Sequence, residues 1–116
     1  MKNNNIKTGS KGEEEAIKYL IKRKYKILER NFKTKVGEID IIAEKDGYIV
    51  FIEVKKRSSK AFGYGYEAVD VKKQQKIIKT ANLYISYQKK ESKCRFDVIS
   101  IDENNINHIE NAFEIL

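Results

Sequence analysis

The stretch GEIDIIAEKDGYIVFIEVKKR, residues 37 to 57, contains two apolar segments separated by Asp46 and Gly47. Both segments are rich in Ile and Val, which favour β-strands. An Asp-Gly pair between such segments tolerates the positive φ angles of a type I′ turn. We therefore predict a hairpin of two antiparallel strands, over residues 38–44 and 48–56.

The two-residue turn also fixes which positions face each other across the hairpin. If Lys45 opposes Tyr48, then Asp40 opposes Glu53, and directly opposed Cβ atoms lie ~4.5–5.5 Å apart. Lys55 shares this face, because residues two apart on a strand point the same way. Like charges facing each other destabilise a sheet, so the two acids indicate a cation site. The same face carries three large apolar residues, Ile42, Ile49 and Phe51.

Two carboxylates beside a lysine suit a hard divalent cation. Mg²⁺ takes oxygen ligands, commonly one or two carboxylates, and completes its shell with water and substrate phosphate. Zinc is not indicated, because Cys94 and His108 are the only residues of their kinds. A solvent-exposed face, with both acids paired to neighbouring lysines, is the alternative interpretation.

Composition narrows the classes of protein to consider. At 116 residues the chain has the length of one domain, so we predict a single domain over residues 1–116. The formal charge of +7 favours nucleic acid as a partner, although a solvated lysine-rich surface explains it equally well. The sequence has no long apolar run, no apolar signal segment and a single cysteine, which predicts a cytoplasmic protein with no membrane partner.

The rest of the chain predicts helices and strands around the hairpin. Residues 1–9 are predicted to form a flexible lead-in, followed by a helix that starts with a capping box of Ser10 and Glu13. A second helix is predicted over residues 70–89, with Asp70 as its N-cap. Further strands are predicted at 25–33, at 94–101 and, as a short strand with a tail, within INHIENAFEIL. The order α-β-β-β-α-β predicts an α/β fold with a mixed sheet flanked by helices.

Motifs over most of the chain carry a family resemblance. They are Gly12-Glu13, Arg30-Asn31, Gly37 to Ala43, Val50 to Arg57, Phe62-Gly63, Glu67-Ala68-Val69, Lys73-Gln74, Arg95 to Val98 and His108 to Phe113. In these positions the chain resembles the YraN-like (UPF0102) family of the PD-(D/E)xK nuclease superfamily. The superfamily pattern, an acid followed on the next strand by (D/E)-x-K, matches Asp40 and Glu53-Val54-Lys55. The resemblance implies a restriction-endonuclease-like domain with a nuclease-type site.

The resemblance also implies a role for each residue of that site. Asp40, Glu53 and the backbone carbonyl of Val54 are expected to hold Mg²⁺ or Mn²⁺ against a phosphate. Lys55 is expected to stabilise the charge that develops there or to orient the attacking water. Glu13 is expected to reach the metal through water, and the capping box with Ser10 is an equally weighted alternative.

Residues around the site are candidates for support and for binding nucleic acid. Gln74 is expected to contact the site from the start of the second helix, where a solvated position is the alternative. Cationic side chains beside aromatic rings can contact phosphates and stack on bases, or the rings can pack the loop onto the core. The candidates for binding nucleic acid are Arg30, Lys56, Arg57, Lys60, Tyr64 and Lys73.

Two functions follow from the resemblance. The first is a metal-dependent nuclease that hydrolyses phosphodiester bonds in DNA, including branched or single-stranded structures. The second is a nucleic-acid-binding module that keeps the fold without cleaving, within a DNA-processing complex. A homodimer is also expected, because cutting two strands requires two sites.

Overall fold

The computed structural model describes residues 4–57, 70–88, 91–103 and 105–114. The described part of the chain forms two helices and five strands: α1 Asn4–Lys22, β1 Lys26–Lys33, β2 Glu38–Lys45, β3 Tyr48–Arg57, α2 Val71–Tyr87, β4 Lys93–Asp102 and β5 Asn105–Phe113. The predicted α/β class and the order α-β-β-β-α-β are confirmed, with β5 as a further nine-residue strand.

The five strands form one mixed sheet in chain order, β1-β2-β3-β4-β5. Neighbouring strands are antiparallel except β3 and β4, which are parallel. A parallel pair cannot be joined by a tight turn and needs a crossover connection. The segment that contains α2 supplies this connection, and it brings α2 onto one face of the sheet.

Each face of the sheet is covered by one helix, so the sheet has two hydrophobic cores. On one face α2 contributes Ile77, Ala81 and Tyr84, and the sheet contributes the predicted set Ile42, Ile49 and Phe51 together with Ile39, Phe96, Val98 and Phe113. On the other face α1 contributes Ala16 and Leu20, packed against Tyr25, Ile41, Ala43, Val50, Ile52, Ile99 and Ile101. Burying each large aliphatic side chain contributes ~1.5–3 kcal/mol. This two-sided packing fixes the strands that carry the acids.

The predicted hairpin is confirmed, but its register holds only as far as Ile41 and Ile52, so the predicted direct pairing of Asp40 with Glu53 is not part of the ladder. Lys45 pairs with Tyr48, and the antiparallel ladder continues as far as Ile41 and Ile52. The turn residues adopt positive φ angles, 52° at Asp46 and 85° at Gly47. The turn therefore sets the alignment of the acidic strands.

Replacing Gly47 by Ala is expected to lower the free energy of unfolding by ~1–2 kcal/mol, because a Cβ atom is disfavoured in the left-handed region. An added Cβ meets no heavy atom within 4 Å, so the cost is purely conformational. Urea denaturation measures the change, with Asp46→Asn as a control that tolerates the same backbone. Equal stability of Gly47→Ala and wild type would contradict the role of this turn.

The predicted start of the first helix is wrong. The helix α1 begins at Asn4, so Ser10 lies within it and cannot act as its N-cap. The chain has no proline, and Gly9 costs only about 1 kcal/mol relative to alanine in a helix, so local propensity does not stop the helix from extending. The capping-box interpretation of Ser10 and Glu13 is therefore wrong as well. Among the described residues, no helix is long and apolar enough to cross a membrane.

Candidate active site

The strands β2 and β3 of the hairpin separate next to the two acids, Asp40 and Glu53. Backbone pairing between β2 and β3 ends at Ile41 and Ile52, while β2 stays paired with β1 and β3 with β4. Asp40 lies just beyond this last pair, and its Oδ2 accepts a hydrogen bond from the backbone N–H of Val54 at 2.8 Å. The carboxylate thus replaces a backbone partner where the sheet opens. We call this opening, formed by Asp40, Glu53, Val54 and Lys55, the fork.

Glu53 lies on β3 next to the first turn of α2. It is only 7% exposed, and its Oε2 lies 2.6 Å from the Nζ of Lys73. The position of Lys73 is set by the start of the helix, because the Oδ1 of Asp70 accepts the backbone N–H of Lys73 at 2.8 Å. The prediction of Asp70 as N-cap is confirmed. The helix start therefore brings an ammonium group to the buried acid.

Glu13 approaches the fork from α1, on the other side of the sheet. It is 8% exposed, and its Oε1 accepts a hydrogen bond from the Nδ2 of Asn31 at 3.1 Å. Asn31 lies on β1 with a positive φ of 53°. The side chain of Asn31 thus holds a carboxyl group that the sequence had assigned either to a helix cap or to the site.

Burial and neighbouring acids raise the pKa of two carboxyl groups at the site, Asp40 and Glu13. Burial raises the pKa of Asp40 to about 7, the negative charge of Glu53 adds to this, and the Val54 hydrogen bond opposes it. Burial also raises the pKa of Glu13, which the hydrogen bond from Asn31 partly offsets. Glu38 acts on both acids in the same direction as Glu53. A cation between these carboxylates would relieve their repulsion.

The two lysines of the site are shifted in opposite directions. Burial lowers the pKa of Lys55, and the neighbouring Lys73 lowers it further, against the attraction of Glu53 and Asp40. Burial also acts to lower the pKa of Lys73, but hydrogen bonding to Glu53 and to Lys55 outweighs it and raises that pKa. Lys73 therefore holds its proton more tightly than an ordinary lysine, and Lys55 loses its proton more readily.

The donor set fits a small divalent cation better than a soft metal. Across residues 4–57, 70–88, 91–103 and 105–114, no three His, Cys, Asp or Glu side chains converge into a ready-made metal cage. Mg²⁺ needs only one or two carboxylates, with water and phosphate for the rest of its shell. Asp40, Glu53 and the carbonyl of Val54 are oxygen donors of that kind.

A comparison of sequences places the chain among known proteins. The model of a family described as Uncharacterised protein family UPF0102 matches residues 12–101. The chain belongs to the UPF0102 family. It is 55% identical over 108 residues to the UPF0102 protein of Thermodesulfovibrio yellowstonii, covering 93% of this chain and 96% of the relative. The UPF0102 protein of Caldanaerobacter subterraneus subsp. tengcongensis is 52% identical over 122 residues, covering 97% and 100%.

The other predicted site residues of this UPF0102 protein are distributed around the fork. Gln74 follows Lys73 in the first turn of α2 and is half-buried. Lys56 turns toward α1, where its Nζ lies 3.6 Å from Glu15, and Arg30 on β1 forms an exposed ion pair with Glu14 at 3.3 Å. Arg57 is the last residue of β3. Lys60 and Tyr64, predicted to bind nucleic acid, lie outside the described residues.

A second buried polar cluster of this UPF0102 protein was missed by the sequence interpretation. Asp97 on β4 is fully buried and accepts two hydrogen bonds from Arg95, each at 2.9 Å. Its Oδ2 lies 2.7 Å from the Nε2 of His108, and its Oδ1 accepts the backbone N–H of Asn111 at 3.0 Å. An acid within the apolar strand CRFDVISI was the available signal. We call Asp97, Arg95, His108 and Asn111 the Asp97 cluster.

An open pocket of ≈ 570 Å³ lies at the opposite end of β3 from the fork, with Tyr48, Arg95 and Phe113 in its lining. Its rim also carries Glu110 and Glu114. Two acids at the rim repel a phosphate, and Arg95 is already paired with Asp97. The pocket therefore offers less to a nucleic acid than the fork does, despite its size.

Proposed function

We propose that this protein is a metal-dependent nuclease that hydrolyses phosphodiester bonds in DNA. The observation that carries the proposal is the fork itself. Asp40 lies where β2 and β3 separate. Its burial and the negative charge of Glu53 raise its pKa to about 7. Groups whose pKa is perturbed by burial together with a specific charged neighbour occur preferentially at functional sites.

The residues of the fork have separate tasks in this proposal. Asp40, Glu53 and the Val54 carbonyl hold Mg²⁺ or Mn²⁺, with Glu13 reaching the ion through water. When bound, such an ion supplies Lewis-acid stabilisation of negative charge on a phosphate. Asp40 stays fixed during this work, because its Oδ2 is held by the N–H of Val54.

Lys55 supplies the proton chemistry of the proposed reaction. As an ammonium it donates a hydrogen bond to a phosphoryl oxygen and stabilises the charge that develops there. Its lowered pKa leaves a larger share of neutral amine, which can accept a proton from an attacking water. An arginine could not take this second role, because its guanidinium stays protonated.

DNA is the proposed substrate, including branched or single-stranded structures. The net charge of +7 attracts a polyanion, and Arg30, Lys56, Arg57, Lys60 and Tyr64 are the proposed contacts with phosphates and bases. A homodimer in the cytoplasm would place two forks on the two strands of a duplex.

A non-cleaving module that binds nucleic acid is the second candidate. The observation in its favour is the close ion pair of Glu53 with Lys73, which satisfies the buried acid without a metal. Such a protein would recognise branched or single-stranded DNA within a larger complex. Its binding of DNA would not depend on a divalent metal ion held by Asp40.

Cleavage of a panel of DNA structures tests the nuclease. Single-stranded, duplex, nicked and branched DNA are incubated with the protein in Mg²⁺, in Mn²⁺ or in EDTA. Cleavage is expected only with metal, and it is expected to fall at least ~100-fold in Asp40→Asn and in Lys55→Ala. Lys79→Ala, at an exposed position of α2, serves as the control. Cutting that survives both substitutions would show that the fork is not its source, and binding without cutting would favour the second candidate.

A further inference from the structure

The ion pair between Lys73 and Glu53 engages one of the two acids of the proposed metal site. The Nζ of Lys73 lies 2.6 Å from an oxygen that would otherwise be free to bind a cation. The same ammonium is also close enough to Asp40 to feel its charge. The ammonium group of Lys73 on α2 thus lies beside the negative charges of the fork.

We propose that Lys73 is a built-in stand-in for the divalent cation, displaced from Glu53 when the metal binds and then free to contact the DNA phosphate. This inference rests on the proposed function of the fork. It assigns Lys73 two successive partners, the carboxylate in the metal-free protein and the phosphate in the complex with DNA. Lys73 is a positioning residue in the first state and a substrate contact in the second.

Burial explains why the stand-in is needed. A carboxylate as buried as Glu53 is costly to the folded protein unless a cation or several hydrogen bonds compensate it. Lys73 supplies that compensation whenever no metal is present. The fork can therefore fold without an uncompensated charge and still retain acids suited to a cation.

Exposure explains how the exchange can occur. The side chain of Lys73 is 41% exposed, whereas that of Glu53 is 8% exposed. The lysine can swing toward solvent on its flexible stem, while its backbone stays fixed by the N-cap Asp70. An ammonium and a divalent ion repel each other beside one carboxylate, so the two cations compete for Glu53 and binding of the ion favours this movement.

The exchange makes Lys73 a competitor of the metal, which a binding experiment can measure. Mn²⁺ is titrated into the metal-free protein by calorimetry, in wild type, in Lys73→Met and in Lys72→Met. Removal of the competing ammonium is expected to tighten Mn²⁺ binding about tenfold in Lys73→Met. Lys72 is an exposed neighbour on the same turn, so Lys72→Met is expected to bind as wild type does. In EDTA, Lys73→Met is also expected to have a lower Tm, which Mn²⁺ restores.

The outcomes separate this inference from the proposed function. If wild type binds Mn²⁺ and Lys73→Met binds it equally or more weakly, the stand-in role is overturned and the metal site remains. If neither protein binds Mn²⁺, the metal site and the stand-in role are both overturned. Should Lys73→Met fail to fold, Lys73→Gln keeps a hydrogen-bond donor without the charge, and the same tightening is expected.

Discussion

Replacing Asp97 by Asn is expected to lower the free energy of unfolding by ~3–5 kcal/mol, since breaking one partner of a buried ion pair leaves the other uncompensated. Asp97 is fully buried and accepts hydrogen bonds from Arg95 and from the backbone of Asn111. An Asn side chain has one oxygen in place of two. Its NH₂ group would face the Arg95 guanidinium in either orientation, and the Asn111 N–H as well in one of them, and both partners are donors.

The loss of stability in Asp97→Asn should depend on pH, and the shifted pKa of Asp97 sets the direction of that dependence. Burial acts to raise this pKa, but hydrogen bonds with His108 and Arg95 outweigh it, so the pKa is lowered from its usual 3.8. A lowered pKa contributes stability that is present above the unfolded value and lost as pH falls through the folded value. The gap between wild type and Asp97→Asn should therefore narrow below about pH 4.

Urea denaturation at several pH values measures both effects. Asp102→Asn, at the exposed end of the same strand, is the matched control and is expected to change stability by less than ~0.5 kcal/mol. An Asp97→Asn protein as stable as this control would show that the Asp97 cluster contributes nothing to the fold. Activity in the DNA assay should survive at temperatures where the variant remains folded, because Asp97 lies on β4 and is not part of the fork.

Local signals in the sequence predicted the fold and the strands that carry the candidate site residues. Asp46-Gly47 set the register from Lys45 to Ile41 by turn chemistry, and alternation placed Ile42, Ile49 and Phe51 on one face. The alternation breaks at Asp40, because Ile39 packs in the same cluster as Ile42 whereas Ile41 packs in the other. Asp70 marked the start of α2 because its side chain can accept the N–H of the third residue after it. Each of these signals acts within a few residues of its effect.

Contacts between distant parts of the chain could not be predicted in the same way. The pairing of Glu53 with Lys73 requires the crossover that brings α2 over the end of β3. The partner of Asp97 depends on the pairing of β4 with β5, which sets His108 opposite Ile99, two residues after Asp97 on the same strand, and within hydrogen-bond distance of the Asp97 carboxylate. The missed start of α1 has a different cause: the sequence offers a good cap at Ser10 after Gly9, but the modest cost of one glycine does not prevent the helix from starting earlier.

Replacing Asp40 by Asn is expected to stabilise the metal-free protein above neutral pH while removing its response to metal. The pKa of Asp40 is raised from 3.8 to about 7 by burial and by the charge of Glu53. A group with a raised pKa contributes stability below its unfolded value, which is lost as pH rises through the folded value. Wild type should therefore lose stability between about pH 4 and pH 7, and the Asp40→Asn variant should be free of this loss.

The size of the gain follows from the shift. One pKa unit corresponds to ~1.4 kcal/mol, and partial exposure of Asp40 to solvent reduces the effect, so we expect ~1–3 kcal/mol at pH 8 in EDTA. The amide oxygen of Asn can still accept the N–H of Val54, so the fork keeps its shape. Near pH 4, where Asp40 of wild type is protonated in the folded protein, the two should be equally stable.

Added Mg²⁺ should reverse the order of stability. Wild type gains stability with each increase in Mg²⁺, because a ligand that binds only the folded state shifts unfolding by mass action. Asp40→Asn lacks one of the proposed metal ligands and should gain little, whereas Glu29→Gln, exposed on β1, should follow wild type in both conditions. Thermal unfolding in EDTA and in Mg²⁺ at pH 8 tests this crossing. If Asp40→Asn is less stable than wild type in EDTA, the acid is stabilised by its surroundings, and the fork is a structural ion-pair network with no demand for a cation.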